Sequence, residues 1–103
     1  MEWEFEITYK TKLHRIKATL IYQSKQVQRI KVFGSKGFIV LQNNFPHIVA
    51  KGSMATPIKW QLAQGELKDA LLLTHIIFYL EKIIKENYQP NLSLIEEWKN
   101  MDD

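Results

Sequence analysis

Residues 67–87, LKDALLLTHIIFYLEKIIKEN, decide the fold. With successive side chains about 100° apart on a helix, Ala70, Leu72, Leu73, Ile76, Ile77, Tyr79, Leu80, Ile83 and Ile84 fill roughly half of the circumference. A stripe of that width faces a core. Glu66 and Asp69 open the segment and Lys82 and Lys85 close it, which suits the helix dipole, and Pro90 prevents continuation. At about 1.5 Å per residue the helix is roughly 30 Å long, enough to cross a small sheet diagonally. Leu71 and Phe78 fall outside the stripe, one heptad apart and beside Lys82 and Lys85, so they need separate cover. The apolar run is interrupted by Thr74 and His75 and ends at Glu81, short of the roughly 20 residues that span a bilayer. The expectation is a soluble chain with no membrane partner.

Upstream, the period changes from that of a helix to that of strands. Residues 2–10 alternate, with Trp3, Phe5, Ile7 and Tyr9 on one side and Glu2, Glu4, Glu6 and Thr8 on the other. Ile16, Ala18, Leu20 and Tyr22 repeat the pattern against Arg15, Lys17 and Thr19. A turn around Thr11 and Lys12 sets Ile7 opposite Ile16, Phe5 opposite Ala18 and Glu6 opposite Lys17. After a turn near Ser24 and Lys25, Ile30 and Val32 continue the inner face, with Arg29, Lys31 and Phe33 outside. Gly34-Ser35-Lys36-Gly37 reads as a tight hairpin that pairs Val32 with Ile39, Ile30 with Leu41 and Phe33 with Phe38. The fourth strand, 38–42, is apolar on both sides.

Residues 43–57, NNFPHIVAKGSMATP, read as a long irregular stretch broken by Pro46, Gly52 and Pro57, with Ile48 and Val49 forming a short edge strand. Ile58, Trp60 and Leu62 then alternate in a fifth strand that leads through Gly65 into the long helix. Ser93-Leu94-Ile95-Glu96 has the form of a capping box, and Leu94, Ile95, Trp98 and Met101 follow at helical spacing. A short C-terminal helix is expected there, covering Leu71 and Phe78. The fold class is therefore α+β: an antiparallel meander of four to five strands, one face covered by the long helix, with the short C-terminal helix beside it. At 103 residues, 46% hydrophobic and 24% charged, with no repeat and no linker, residues 1–103 form a single domain.

The net charge of +3 conceals an uneven distribution. All eleven acids lie in residues 2–6 and 66–103, whereas residues 7–63 carry ten of the fourteen lysines and arginines. Such asymmetry raises the prior for a polyanionic partner. It is equally met if the acidic ends neutralise the basic middle within the fold. The N-terminus, MEWEFEITYK, lacks the basic and apolar regions of a secretory signal, which places the chain in the cytoplasm by default. The absence of cysteine excludes disulfides, thiolate metal sites and cysteine nucleophiles.

Catalytic chemistry finds little support. His14, His47 and His75 stand on separate elements without the spacing of metal ligands. Ser53 lacks the GxSxG turn, and no acid in residues 7–63 is available to orient a histidine. A site formed by His47, Ser53 and His75 beneath the long loop is the weakest of three functional readings. Glu4 and Glu6 are better placed for cross-strand ion pairs than for acid–base work. The expectation is a protein that is not an enzyme, with no cofactor, no metal and no small-molecule substrate.

Binding chemistry is stronger. On the outer face of the sheet, Arg15, Lys17, Arg29 and Lys31 surround the cross-strand pair Phe33 and Phe38, with Val40 beside it. Cations that neutralise phosphates beside rings that stack on bases are what a single-stranded nucleic acid requires. Against this, Ile21, Phe33, Phe38 and Val40 also make a second apolar face, to be covered by the long loop or by a second copy. A strand meander followed by one long helix is similar in arrangement to small single-stranded DNA-binding coactivator domains that act as dimers, a likeness of fold that does not fix function. The first functional expectation is a non-catalytic protein-interaction or homodimeric binding module, working through its sheet face or its helix. The second is single-stranded nucleic-acid binding through Arg15, Lys17, Arg29, Lys31, Phe33 and Phe38.

Overall fold

A computed structural model describes residues 1–35, 37–53 and 55–90. Five strands form one antiparallel sheet in chain order: β1 (Glu2–Tyr9), β2 (Lys12–Gln23), β3 (Gln28–Gly34), β4 (Gly37–Asn43) and β5 (Trp60–Gln64). A short helix, α1 (Phe45–Lys51), joins β4 to β5, and the long helix, α2 (Ala70–Asn87), packs on one face. The expected short helix at residues 93–101 lies outside the described residues.

The first hairpin corrects the expected register. Lys10 and Thr11 both adopt left-handed backbone, with φ of 49° and 62°, and form a two-residue turn that pairs Tyr9 with Lys12. Positive φ at both central positions matches the twist of the flanking strands, although Asn-Gly is the usual sequence for it. Phe5 therefore faces Ile16, Ile7 faces His14, Glu6 faces Arg15 and Glu4 faces Lys17. The slip is two residues. An even shift leaves every side chain on its expected face.

The β3–β4 hairpin has the expected register, with Val32 opposite Ile39, Ile30 opposite Leu41 and Phe33 opposite Phe38. A bulge between Leu20 and Tyr22 adds Ile21 as an extra residue, which turns Tyr22, expected on the inner face, to the outer face opposite Arg29 and puts Gln23 on the inner face opposite Gln28. At that end of the sheet the core closes on amides. Gln28 Nε2 donates to Gln23 Oε1 at 2.9 Å, Asn43 Nδ2 donates to Gln28 Oε1 at 3.1 Å, and Asn43 Oδ1 accepts from the Phe45 N–H at 2.9 Å. All three side chains are buried, so this ladder supplies hydrogen bonds that water cannot.

α1 corrects the expectation of an edge strand at Ile48 and Val49. Pro46 sits in the first turn, where its missing N–H costs nothing, and Gly52 ends the helix in left-handed backbone at φ 69°. The residues that punctuate a loop here bound a helix instead. β-Branched Ile48 and Val49 follow the caps rather than their strand preference.

α2 begins at Ala70, the first residue of its apolar stripe and three residues into the stretch 67–87. Asp69 is the N-cap, and its carboxylate accepts from the N–H groups of Leu71 and Leu72. The same carboxylate accepts the Tyr9 hydroxyl at 2.8 Å, which ties the start of the helix to the end of β1. Beneath α2, Ile76, Leu80 and Ile84 meet Ile7, Ile16, Ala18, Leu20, Ile30, Val32, Ile39 and Leu41 in one core. Tyr79 flanks this stripe and stacks on Phe5 with centroids 5.6 Å apart. Gly65, at φ 85°, lets the chain leave β5, since a Cβ there would lie 2.9 Å from the Phe38 carbonyl oxygen. No helix of the described residues is long and apolar enough to cross a membrane.

Candidate binding surfaces

On the outer face of the sheet, the register lines up Glu4, Lys17, Phe33 and Phe38 across four strands. The Phe33 and Phe38 rings lie 5.9 Å apart, and the Lys31 ammonium sits over both, 4.8 Å from one centroid and 4.2 Å from the other. Lys31, Phe33 and Phe38 thus form one unit, held by attraction between the cation and the ring faces. Phe38 remains 40% exposed.

The other three cations are engaged elsewhere. Lys17 Nζ contacts Glu2 Oε1 at 2.6 Å, and this hydrogen bond, helped by the charges of Glu2 and Glu4, raises the Lys17 pKa above its ordinary value. Arg15 lies 4.0 Å from Glu6, and Arg29 donates to Gln42 Oε1 at 2.8 Å while its guanidinium covers the Tyr22 ring at 4.5 Å. The acidic strand β1 therefore neutralises part of the basic face. Ile21 and Val40, which alternate with inner-face residues, are themselves buried. The six expected binding residues share a face, but they do not make one continuous cationic surface.

A second surface runs along the side of α2 turned away from the sheet. Leu71 and Phe78 are 62% and 56% exposed, and Lys82 Nζ lies 4.4 Å above the Phe78 ring. Lys85 is one turn further on. His75 is on the same ridge, its Nδ1 2.7 Å from the Leu71 carbonyl oxygen, a contact that needs a proton on that nitrogen. The spacing of Leu71 and Phe78 already separates them from the core stripe in the sequence, and the cover expected for them lies outside the described residues.

The polar ties that position both surfaces were not. Tyr9, Asp69 and Lys10 meet where β1 ends, with Lys10 Nζ 3.8 Å from Asp69 Oδ2. The Tyr9 hydroxyl and the Leu72 N–H hold the Asp69 carboxyl below its ordinary pKa, whereas burial and the adjacent carboxylate push Tyr9 up. Trp60 Nε1 donates to Glu81 Oε1 at 3.0 Å and links β5 to α2. A cleft of about 320 Å³ opens between the start of α2 and the β3–β4 hairpin, with apolar walls from Ile16, Val32, Ile39 and Leu72 and polar groups from His14 and Glu66.

The histidines are spread over the molecule. His75 packs edge-on to Tyr9 at 5.3 Å near the start of α2. His47 lies on α1, which meets the other end of α2 through Phe45 and Tyr88 at 5.2 Å. Thirteen residue steps along the helix from His75 to Tyr88 correspond to about 20 Å, so His47 and His75 do not share a site. Among the described residues no three His, Cys, Asp or Glu side chains come close enough together to hold a metal ion. Comparisons with protein-family models, curated proteins and solved structures found no match to this chain.

Proposed function

We propose that the protein is a small non-catalytic binding module that works through protein contact, self-association included, with the outward ridge of α2 as its working surface. One observation carries this reading: Leu71 and Phe78 stand on the side of α2 opposite its core stripe and are the most exposed large apolar residues of the helix. Single exposed apolar residues are common, but a leucine and a phenylalanine one heptad apart on one helix face are how helices present anchors to a partner. Light scattering across a concentration series tests it. A mass above that of the monomer that falls with Phe78→Asp and survives Phe33→Asp supports the ridge. Loss with Phe33→Asp alone transfers the contact to the sheet.

The Lys31 ammonium clasped by two rings favours a second reading, weak binding of single-stranded nucleic acid on the outer face. Fluorescence anisotropy with labelled single-stranded and duplex oligonucleotides checks it. Saturable binding that prefers single strands, weakens steeply with salt and is lost in Lys31→Glu supports this reading. No binding at low salt, where electrostatic attraction is strongest, removes it.

A further inference from the structure

At the end of the sheet opposite the amide ladder, the β3–β4 hairpin and the start of α2 leave a half-open cleft of about 320 Å³ between them. Protein interiors hold few voids larger than a water molecule. An apolar cavity of about 150 Å³ already admits benzene, so this one has room for a ring with a short tail. Left empty, its aliphatic walls lack neighbours on one side, and a ligand of matching shape restores those contacts.

The lining is divided by polarity. Ile16, Val32 and Ile39, on three neighbouring strands, are buried and purely aliphatic, and Leu72 meets them from α2. His14 is half-buried and Glu66 exposed, so the polar end of the cleft is the end that meets water. Asp69, three residues on, is already engaged by the Tyr9 hydroxyl, by Lys10 and by the first N–H groups of the helix. Among the described residues the Glu66 side chain makes no hydrogen bond or ion pair, and no lysine or arginine lines the cleft. Aliphatic walls that end at an uncommitted carboxylate match a ligand with an apolar body and a cationic end.

We propose that the cleft binds a small amphipathic amine, its aromatic or branched aliphatic body of about ten heavy atoms seated on Ile16, Val32, Ile39 and Leu72 and its ammonium on the Glu66 carboxylate. His14 adds a second polar group to the lining. The cleft lies between α2 and the sheet, whereas Leu71 and Phe78 stand on the other side of the helix, so this site and the ridge stand or fall separately.

Size-matched probes of different charge test the site by NMR of the full-length protein at neutral pH: 2-phenylethylamine, 2-phenylethanol and phenylacetate. The amine is expected to shift the methyl signals of Ile16, Val32, Ile39 and Leu72 saturably, with a dissociation constant on the order of 1 mM for a ligand of this size. The alcohol is expected to bind severalfold more weakly, as the loss of a partly exposed ion pair implies, and phenylacetate more weakly still. Glu66→Gln is expected to bring the amine down to the level of the alcohol. Leu72→Trp, which fills the cleft from the helix side, is expected to abolish the shifts from all three probes. Glu66 is exposed, so its variant keeps the fold and decides the question even where Leu72→Trp perturbs the core. Absence of saturable shifts well above that concentration overturns the proposal. Equal or tighter binding of the alcohol or of phenylacetate overturns it too, because the charge class is then wrong. An undiminished preference for the amine in Glu66→Gln takes the carboxylate out of the site and overturns it as well. Shifts confined to Leu71 and Phe78 place the amine on the ridge and contradict the cleft.

Discussion

On one side of α2, Ile76, Leu80 and Ile84 recur every four residues and are no more than 3% exposed; on the other, Leu71 and Phe78 stand one heptad apart, mostly exposed. Both sets are large and apolar, and it is their angular position that separates them. The buried three point at a sheet whose inner face presents aliphatic side chains on four successive strands, and each contact removes apolar area from water on both partners. Among the described residues, Phe78 meets the Lys82 ammonium and the Tyr79 ring along its own helix. Apolar composition therefore does not separate core from contact surface in this helix. The direction of each side chain relative to the sheet does.

The largest expected effect breaks the buried side. Leu80→Ala removes a side chain with no exposure and is expected to cost about 2–5 kcal/mol in urea unfolding, whereas Phe78→Ala, across the same helix, is expected within about 0.5 kcal/mol of the parent. Equal losses would erase the distinction between the two sides.

A second test moves to the end of the same core. Gln28→Leu keeps the bulk apolar but takes the acceptor from Asn43 Nδ2 and a donor from Gln23, at an expected cost of about 1–3 kcal/mol. A neutral result would mean that the buried amides are satisfied without the ladder.

The start of α2 gives a smaller, pH-dependent effect. Asp69 titrates below its ordinary value of 3.8 in the folded state, so around that pH the unfolded chain binds more protons. Its contribution to stability is complete at neutral pH and is lost as the pH falls below about 4, through the folded value. The melting temperature of the parent is expected to fall more steeply over that range than that of Asp69→Asn, which has no carboxylate to titrate. Parallel curves would mean that the tie between Tyr9 and Asp69 adds nothing.

Much of this arrangement can be read from residue periodicity, because strands and the long helix repeat with different periods and each buries one face. The inner strand residues up to Leu20 and on β3 and β4, the β3–β4 register and the separation of Leu71 and Phe78 from the core follow from that alone, whereas the bulge at Ile21 exchanges Tyr22 for Gln23 on the inner face. What periodicity leaves out depends on single backbone or side-chain events. The first hairpin slips two residues because Lys10 and Thr11 accept left-handed backbone, which neither residue type advertises. α1 replaces a strand because Pro46 fits the first turn of a helix and Gly52 caps its end, where both read as loop punctuation. On the outer face, the six expected residues share a side as the alternation requires. That β1 pairs its acids with the basic second strand is legible too, but the actual partners, Glu2 with Lys17 and Glu6 with Arg15, depend on the register of the first hairpin.

The smallest expected effect is also the most direct test that the ridge belongs to the protein's contacts and not to its core: the melting temperature of Phe78→Asp beside the parent at low concentration. A contact surface predicts a change of no more than about 2 °C. A drop comparable to that of Leu80→Ala would place Phe78 inside the core and contradict the ridge as a working surface.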